Sequence, residues 1–292
     1  MFRGTFTAVV TPFRNGDIDF AALEKLIESQ IAGGITGIVA VGTTGESPTL
    51  THDEKHEVIT WTVKIAKGRC KVIAGAGTNS TRDSIEATQF AEKAGVDGAL
   101  LVAPYYNKPS QEGLSRHFKA IAEATKLPVM LYNIPGRCVV DIAADTVVRL
   151  AESCPNIVSI KEASGSVERV GELCRRLPKE FTILSGDDGL TLPFMAVGAV
   201  GVVSVASNLF PVEVCALVRA CESSDFKSAE TLHRKLFPLF KDLFIEPNPV
   251  PAKTALAWRG AMSAEVRLPL CEMTEANQAR LRKTLEAFEK AK

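Results

Sequence analysis

The sequence predicts a (β/α)8 TIM barrel with a C-terminal helical extension, and three observations predict it. Eight short, β-branched apolar runs recur at near-even spacing, stretches of helical periodicity lie between them, and no complete GxGxxG follows the first run. Strands alternating with helices imply parallel strands joined by crossovers. Runs that are apolar throughout, rather than on alternate residues, suit strands covered on both faces. The competing architecture is an open doubly wound sheet; eight runs and the incomplete dinucleotide fingerprint favour closure.

The strand runs are 5–10, 37–41, 71–74, 99–103, 129–132, 157–160, 182–184 and 201–205. Between the first two, residues 20–31 place Leu23, Ile27 and Ile31 on one helical face; residues 114–124 do the same with Leu114, Phe118, Ile121 and Ala122. Thr51-His-Asp-Glu54 and Ser110-Gln-Glu-Gly put a hydroxyl ahead of acidic or amide groups, which marks helix starts. Gly75-Ala-Gly77 is half a phosphate fingerprint after the third run and reads as a tight βα turn. Residues 225–244, 251–259 and 274–291 read as helices, with Glu-Pro-Asn-Pro-Val-Pro (246–251) as a rigid break. The chain thus divides into a barrel, 1–224, and a helical domain, 225–292, whose linker is too short for a free hinge.

Lys+Arg and Asp+Glu both number 34, so no basic excess argues for nucleic acid or an anionic membrane. Seven scattered cysteines form no CxxC pair and no zinc spacing with the four histidines, which reads as reduced thiols in a cytoplasmic protein. Neither a signal peptide nor a transmembrane run is expected. His52 and His56 have i,i+4 spacing, but no third ligand presents itself and Lys55 between them would repel a cation, so no metal site is expected.

A barrel places its chemistry at the C-terminal ends of its strands. The second run leads into Gly42-Thr-Thr-Gly45, either a carboxylate cradle of backbone N–H and hydroxyl donors or a turn with capping threonines. The fourth leads into Pro104-Tyr-Tyr-Asn107; Tyr105 and Tyr106 must point opposite ways on extended backbone. The fifth ends in Tyr132 and continues to Arg137, a fork suited to a carboxylate. The sixth runs directly into Lys161. An amine at the end of a buried strand is costly unless paired, neutralised or used, and a desolvated lysine is the nucleophile that forms a Schiff base with a ketone. The seventh leads into Asp187-Asp188, read as loop carboxylates and N-caps for a helix over 190–196.

Gly-Thr-Thr-Gly-Glu-Ser (42–47), Pro-Tyr-Tyr-Asn-Lys-Pro (104–109), Tyr-Asn-Ile-Pro-Gly-Arg (132–137), Ile-Lys-Glu-Ala-Ser-Gly (160–165), Ser-Gly-Asp-Asp (185–188) and Glu-Pro-Asn-Pro-Val-Pro-Ala-Lys (246–253) together resemble the dihydrodipicolinate synthase family of the class I aldolase-like superfamily. The resemblance covers residue 5 to about residue 269. It implies a homotetramer that condenses pyruvate with L-aspartate-4-semialdehyde to 4-hydroxy-tetrahydrodipicolinate on the route to diaminopimelate and lysine, with a covalent lysine–pyruvate imine and no separate cofactor. It implies Lys161 as the Schiff-base lysine, Tyr132 as general acid/base, and Thr44 as the hydroxyl linking it to Tyr106 of a neighbouring subunit. Thr43 and Thr44 would hold the pyruvate carboxylate, Arg137 the semialdehyde carboxylate, and Gly186 and Val203 would line the lysine pocket. Ser47, His52, Asn79 and Tyr105 match a feedback site for lysine. Lys55 and Asp83 depart from that pattern, and a cation at Lys55 would oppose a cationic effector, so weak or absent lysine inhibition is expected. N-acetylneuraminate lyase and the 2-keto-3-deoxy sugar-acid aldolases share the lysine–tyrosine chemistry; a non-catalytic barrel is the alternative from another class.

Overall fold

The computed structural model describes residues 2–290. Met1, Ala291 and Lys292, the outermost positions of the two expected domains and the end of the last expected helix, lie outside the described residues. Eight parallel strands close into a barrel: β1 Gly4–Ala8, β2 Gly37–Ala40, β3 Lys71–Gly75, β4 Gly98–Val102, β5 Val129–Asn133, β6 Ile157–Glu162, β7 Thr182–Ser185 and β8 Gly201–Ser204. Each pairs with its sequence neighbours, and β1 closes onto β8 through Gly4↔Gly201 to Thr7↔Ser204. Helices α1 Phe20–Ala32, α2 His52–Ala66, α3 Thr81–Ala94, α4 Gln111–Glu123, α5 Ala144–Ser153, α6 Val167–Arg176, α7 Thr191–Ala196 and α8 Pro211–Glu222 alternate with the strands. Then come α9 Phe226–Asp242, α10 Val250–Trp258 and α11 Glu275–Lys290.

Local signals account for these boundaries. Thr51 and Glu54 form the reciprocal capping box at the start of α2, and Ser110 accepts from the Gly113 N–H at the start of α4. The predicted apolar face of α4 is buried entire. A two-stranded hairpin, Phe13–Arg14 with Asp17–Ile18, is absent from the expectations above although Asn15-Gly16, with φ of 55° and 88°, is the residue pair such a tight turn favours. Gly75 ends β3 and Gly77 follows it, and both are glycine for a steric reason: a Cβ would stand 2.3 Å from the Val41 carbonyl oxygen at one and 2.4 Å from the Val102 nitrogen at the other.

Two apolar cores result. The barrel interior holds Phe6, Val39, Ile73, Leu100, Met130, Leu184 and Val203. The larger core fills the space between strands and helices and continues through Leu236, Phe240, Leu281 and Phe288 of the C-terminal helices, so α9–α11 share the barrel's packing. Each large apolar side chain buried there stabilises the fold by about 1.5–3 kcal/mol relative to exposure.

One irregularity decides where the chemistry points. Val129 pairs with Ile157, but Met130 pairs with Ser159, so β6 carries one extra residue at Val158. Ile157 and Ile160 both face the helices, although they are three residues apart. A one-residue bulge exchanges the two faces of a strand from that point on. It turns Lys161 into the barrel and sends Glu162 outward.

Candidate active site

Lys161 sits level with Tyr132 across the β5–β6 ladder, 6% exposed, with its Nζ 4.1 Å from the centroid of the Tyr132 ring. Burial pulls the amine down from 10.5 to about 7; the Asp188 carboxylate opposes this and the Arg137 guanidinium adds to it. No carboxylate is ion-paired with Lys161 among the described residues. Burial pushes the Tyr132 phenol well above its ordinary value, against the pull of Arg137 and of the nearby Thr43 side chain, which lines the same cavity. Gly186 gives the lysine its room: a Cβ there would lie 3.1 Å from Lys161 Cγ and Cε, and 2.8 Å from Ala163 Cβ. Val203 packs in the same interior cluster as Tyr132 and Leu184.

A cavity of about 230 Å³ opens beside the Tyr132 ring, and Thr43, Arg137 and Cys138 are in its wall. Lys161 lies just off that wall, against the face of Tyr132. Ser47, Lys55 and Tyr105 line the same cavity. The Asn79 backbone acts on the Tyr105 phenol, and its carbonyl accepts from Asn107 Nδ2 at 2.9 Å, so Asn79 lies beside this group. His52 does not; it is exposed at the start of α2. His56 stacks on Phe90 at 3.5 Å between centroids, and no three His, Cys, Asp or Glu side chains gather as a metal site would require among the described residues.

Two expectations need correction. The hydroxyl that meets Tyr132 is that of Thr43 and not of Thr44. Consecutive side chains diverge, and Thr44 is turned into the protein, where its Oγ1 accepts from Asn248 Nδ2 at 3.0 Å. The two aspartates also differ. Asp187 does cap, accepting from the Gly189 N–H at 2.8 Å. Asp188 is buried and bonded across to β8 instead, and a short 3-10 turn, Asp188–Leu190, precedes α7. Tyr106 is not brought to Tyr132 within this chain: it is 89% exposed, with φ 74°.

Sequence reasoning missed how the Gly42–Ser47 loop is held. Val41 and Glu46 have φ of 57° and 54°, a costly conformation for non-glycine residues and worst for a β-branched one. The surroundings enforce it. Thr11 Oγ1 donates to the Gly45 carbonyl at 2.7 Å, Lys253 Nζ reaches Glu46 Oε1 at 2.7 Å, and the Arg267 N–H donates to Glu46 Oε2 at 3.0 Å. The segment read as a rigid break, 246–251, therefore delivers Asn248 and, just beyond it, Lys253 to the loop. Behind β6, Glu162 is clamped by Asn133 Nδ2, the Ser164 N–H and Arg169 Nε, the last at 2.8 Å.

An amine of near-neutral pKa inside the C-terminal mouth of a (β/α)8 barrel, stacked on a buried phenol, defines a Schiff-base-forming barrel of the class I aldolase type. The family model for the dihydrodipicolinate synthetase family matches residues 1–288. A solved 4-hydroxy-tetrahydrodipicolinate synthase from Methylacidiphilum fumariolicum SolV is 58% identical, with a TM-score of 0.98, covering 99% of this chain and 97% of that one. The curated 4-hydroxy-tetrahydrodipicolinate synthase of Thermodesulfovibrio yellowstonii is 51% identical over 98% of both chains. A dihydrodipicolinate synthase from Acinetobacter baumannii, solved complexed with pyruvate, is 45% identical with a TM-score of 0.97 over 99% of both chains. This chain belongs to the dihydrodipicolinate synthetase family.

Proposed function

We infer that the chain is a 4-hydroxy-tetrahydrodipicolinate synthase, a lyase that condenses pyruvate with L-aspartate-4-semialdehyde in the diaminopimelate and lysine pathway, through a covalent lysine–pyruvate imine and no separate cofactor. The observation that carries this reading is the buried Lys161 amine set over the Tyr132 ring with no carboxylate of the described residues against it, which burial pulls down to about 7. The free amine adds to the pyruvate carbonyl carbon, and loss of water leaves a protonated imine. That cation takes up the electron pair left when a methyl proton departs, and the resulting enamine attacks the semialdehyde aldehyde. The semialdehyde's own amine displaces Lys161 as the ring closes. Tyr132 is the group placed to carry protons, with Thr43 as its hydroxyl partner. Thr43 and Thr44, with the N–H groups of their loop, serve the pyruvate carboxylate. Arg137, exposed on the turn Pro135–Cys138, serves the carboxylate of the semialdehyde.

The same reading has Tyr106 completing the site of a neighbouring subunit in a cytoplasmic homotetramer; its outward pose and the exposed Val139 and Leu268 support this. No described helix is long and apolar enough to cross a membrane. Residues 1–224 form the catalytic unit and 225–292 its helical appendage. Ser47, His52, Asn79 and Tyr105 remain the candidates for a lysine effector site. Half-buried Lys55 stands in the cavity with Ser47 and Tyr105 and disfavours a cationic effector there.

Incubation with pyruvate and borohydride, followed by peptide mapping, tests the central step. One pyruvate-derived adduct on Lys161 is expected; a wild-type protein without it ends the reading. Turnover with pyruvate and the semialdehyde, and none by sialic acid cleavage, separates this activity from the related aldolases.

A further inference from the structure

We propose that Asp188 is a positioning residue for the Lys161 chemistry: its carboxylate ties the turn after β7 to the C-terminal end of β8, beyond the one register pair the two strands share, and so holds Gly186 and Val203 around the Lys161 side chain. The proposal rests on the reading of Lys161 as the imine-forming amine.

The β7–β8 seam is the sparsest in the barrel. It has a single register pair, Val202↔Ser185, where β5 and β6 run from Val129↔Ile157 to Asn133↔Glu162. The bond from the Val200 N–H to the Ile183 carbonyl, 2.8 Å, lies toward the N-terminal end of that pair. On the mouth side the Asp188 carboxylate takes over. Oδ2 accepts from the Val205 and Ala206 N–H groups at 2.9 and 3.0 Å, and Oδ1 accepts from the Ser204 hydroxyl. Gly186, the residue after β7, and Val203, within β8 beside Ser204, lie between the Val202↔Ser185 pair and these anchors. Gly186 is further pinned by its N–H to the Glu162 carbonyl at 2.8 Å, one residue beyond Lys161. A buried carboxylate is expensive, and local capping does not require this one, because Asp187 already supplies that acceptor.

Its charge also reaches the amine. Burial raises the Asp188 carboxyl to about 6 against three stabilising donors, so it is mostly ionised at neutral pH. The charged and titratable groups facing Lys161 are Tyr132 and Arg137, from β5 and its turn, and Asp188, from the turn after β7. Glu162, on the same strand, points outward and is taken up by Arg169. Asp188 is therefore the carboxylate whose charge favours the protonated Lys161, and removing it should make the amine more acidic.

The test is the rate of reductive trapping with pyruvate and cyanoborohydride across a pH series. In Asp188→Asn the midpoint should move to lower pH by about one unit, the effect of one buried unit charge nearby. The pyruvate concentration for half-maximal trapping should rise as the seam loosens. An unchanged or alkaline midpoint in folded D188N overturns the proposal, since a purely structural defect would lower the rate without moving the titration. If D188N does not fold, Ser204→Ala decides: loss of one donor leaves the carboxylate less ionised, so a smaller acid shift is expected and an unmoved midpoint overturns it. A wild-type chain that traps nothing removes the reading of Lys161 itself, and this proposal with it.

Discussion

Lys161 and Lys253 are buried to nearly the same depth, 6% and 0% exposed, and each sets its Nζ over an aromatic ring, 4.1 Å from the centroid of Tyr132 and 4.2 Å from that of Phe13. They differ in one contact. Lys253 touches Glu46 at 2.7 Å, whereas Lys161 touches no carboxylate, and Asp188 acts on it only through space. Burial drives both amines toward the neutral form; at Lys253 the charge and hydrogen bond of Glu46 push back. Desolvation alone therefore does not make a nucleophile. The missing hydrogen-bonded counter-charge does, and the paired lysine is spent on holding the substrate loop in shape.

The hardest way to break this contrast is to remove the unpaired amine. Lys161→Arg keeps a cation but cannot form an imine, and turnover should fall by about a thousandfold or more with thermal stability near wild type. Comparable loss in Lys253→Arg, with the borohydride adduct gone, would erase the distinction. In the wild-type protein, trapping should rise with pH through about 7 and then level off, where an ordinary lysine would keep climbing toward 10.5. The next largest effect lies at the other lysine. Glu46→Gln strands a fully buried ammonium and should cost about 3–5 kcal/mol in urea unfolding. It should also weaken pyruvate binding, because the strained Gly42–Ser47 loop loses its clamp. A third change sharpens the geometry: Gly186→Ala sets a methyl 3.1 Å from Lys161 Cε and should slow trapping about tenfold while leaving its pH midpoint in place.

The parts of this comparison were unequally legible in the chain. The eight strands could be read because each is a continuous apolar run set off from its neighbours by helical stretches, the C-terminal helices because the proline-rich residues 246–251 interrupt them, and every rim residue follows a run that ends where a strand must end. The buried state of Lys161 was readable from the four strand-forming residues before it. Its direction was not, because the bulge at Val158 carries no glycine or proline to announce it. The Thr43–Thr44 order was lost for a related reason: two adjacent threonines are alike in sequence, and only the neighbouring Asn248, more than two hundred residues away, decides which one turns inward. The Glu46–Lys253 pair and the Asp188 bonds to β8 are contacts between distant segments, so pattern within a segment could not reveal them. Asp188 in particular looked like a second helix cap beside the real one.

The weakest member of the series is a carboxylate–cation pair in the same region that water still reaches. Arg267 forks onto both oxygens of Glu54, with the two side chains 21% and 23% exposed, and ties the hairpin and the Glu46 loop together through the Gly16 and Thr49 carbonyls. Arg267 holds the Glu54 carboxyl at about 2, well below its ordinary 4.5. A carboxyl depressed on folding binds its proton less readily in the folded chain. Its contribution is complete above about 4.5 and drains away as pH falls toward about 2. Solvent screening limits that contribution to about 1 kcal/mol, well short of the cost of stranding Lys253. Glu54→Gln should therefore lower the urea midpoint slightly at neutral pH and leave it nearly equal to wild type by about pH 2, the wild-type curve falling to meet it. A loss at neutral pH as large as that of Glu46→Gln would mean that exposure does not discount the pair, and that the difference between the buried lysines has some cause other than desolvation.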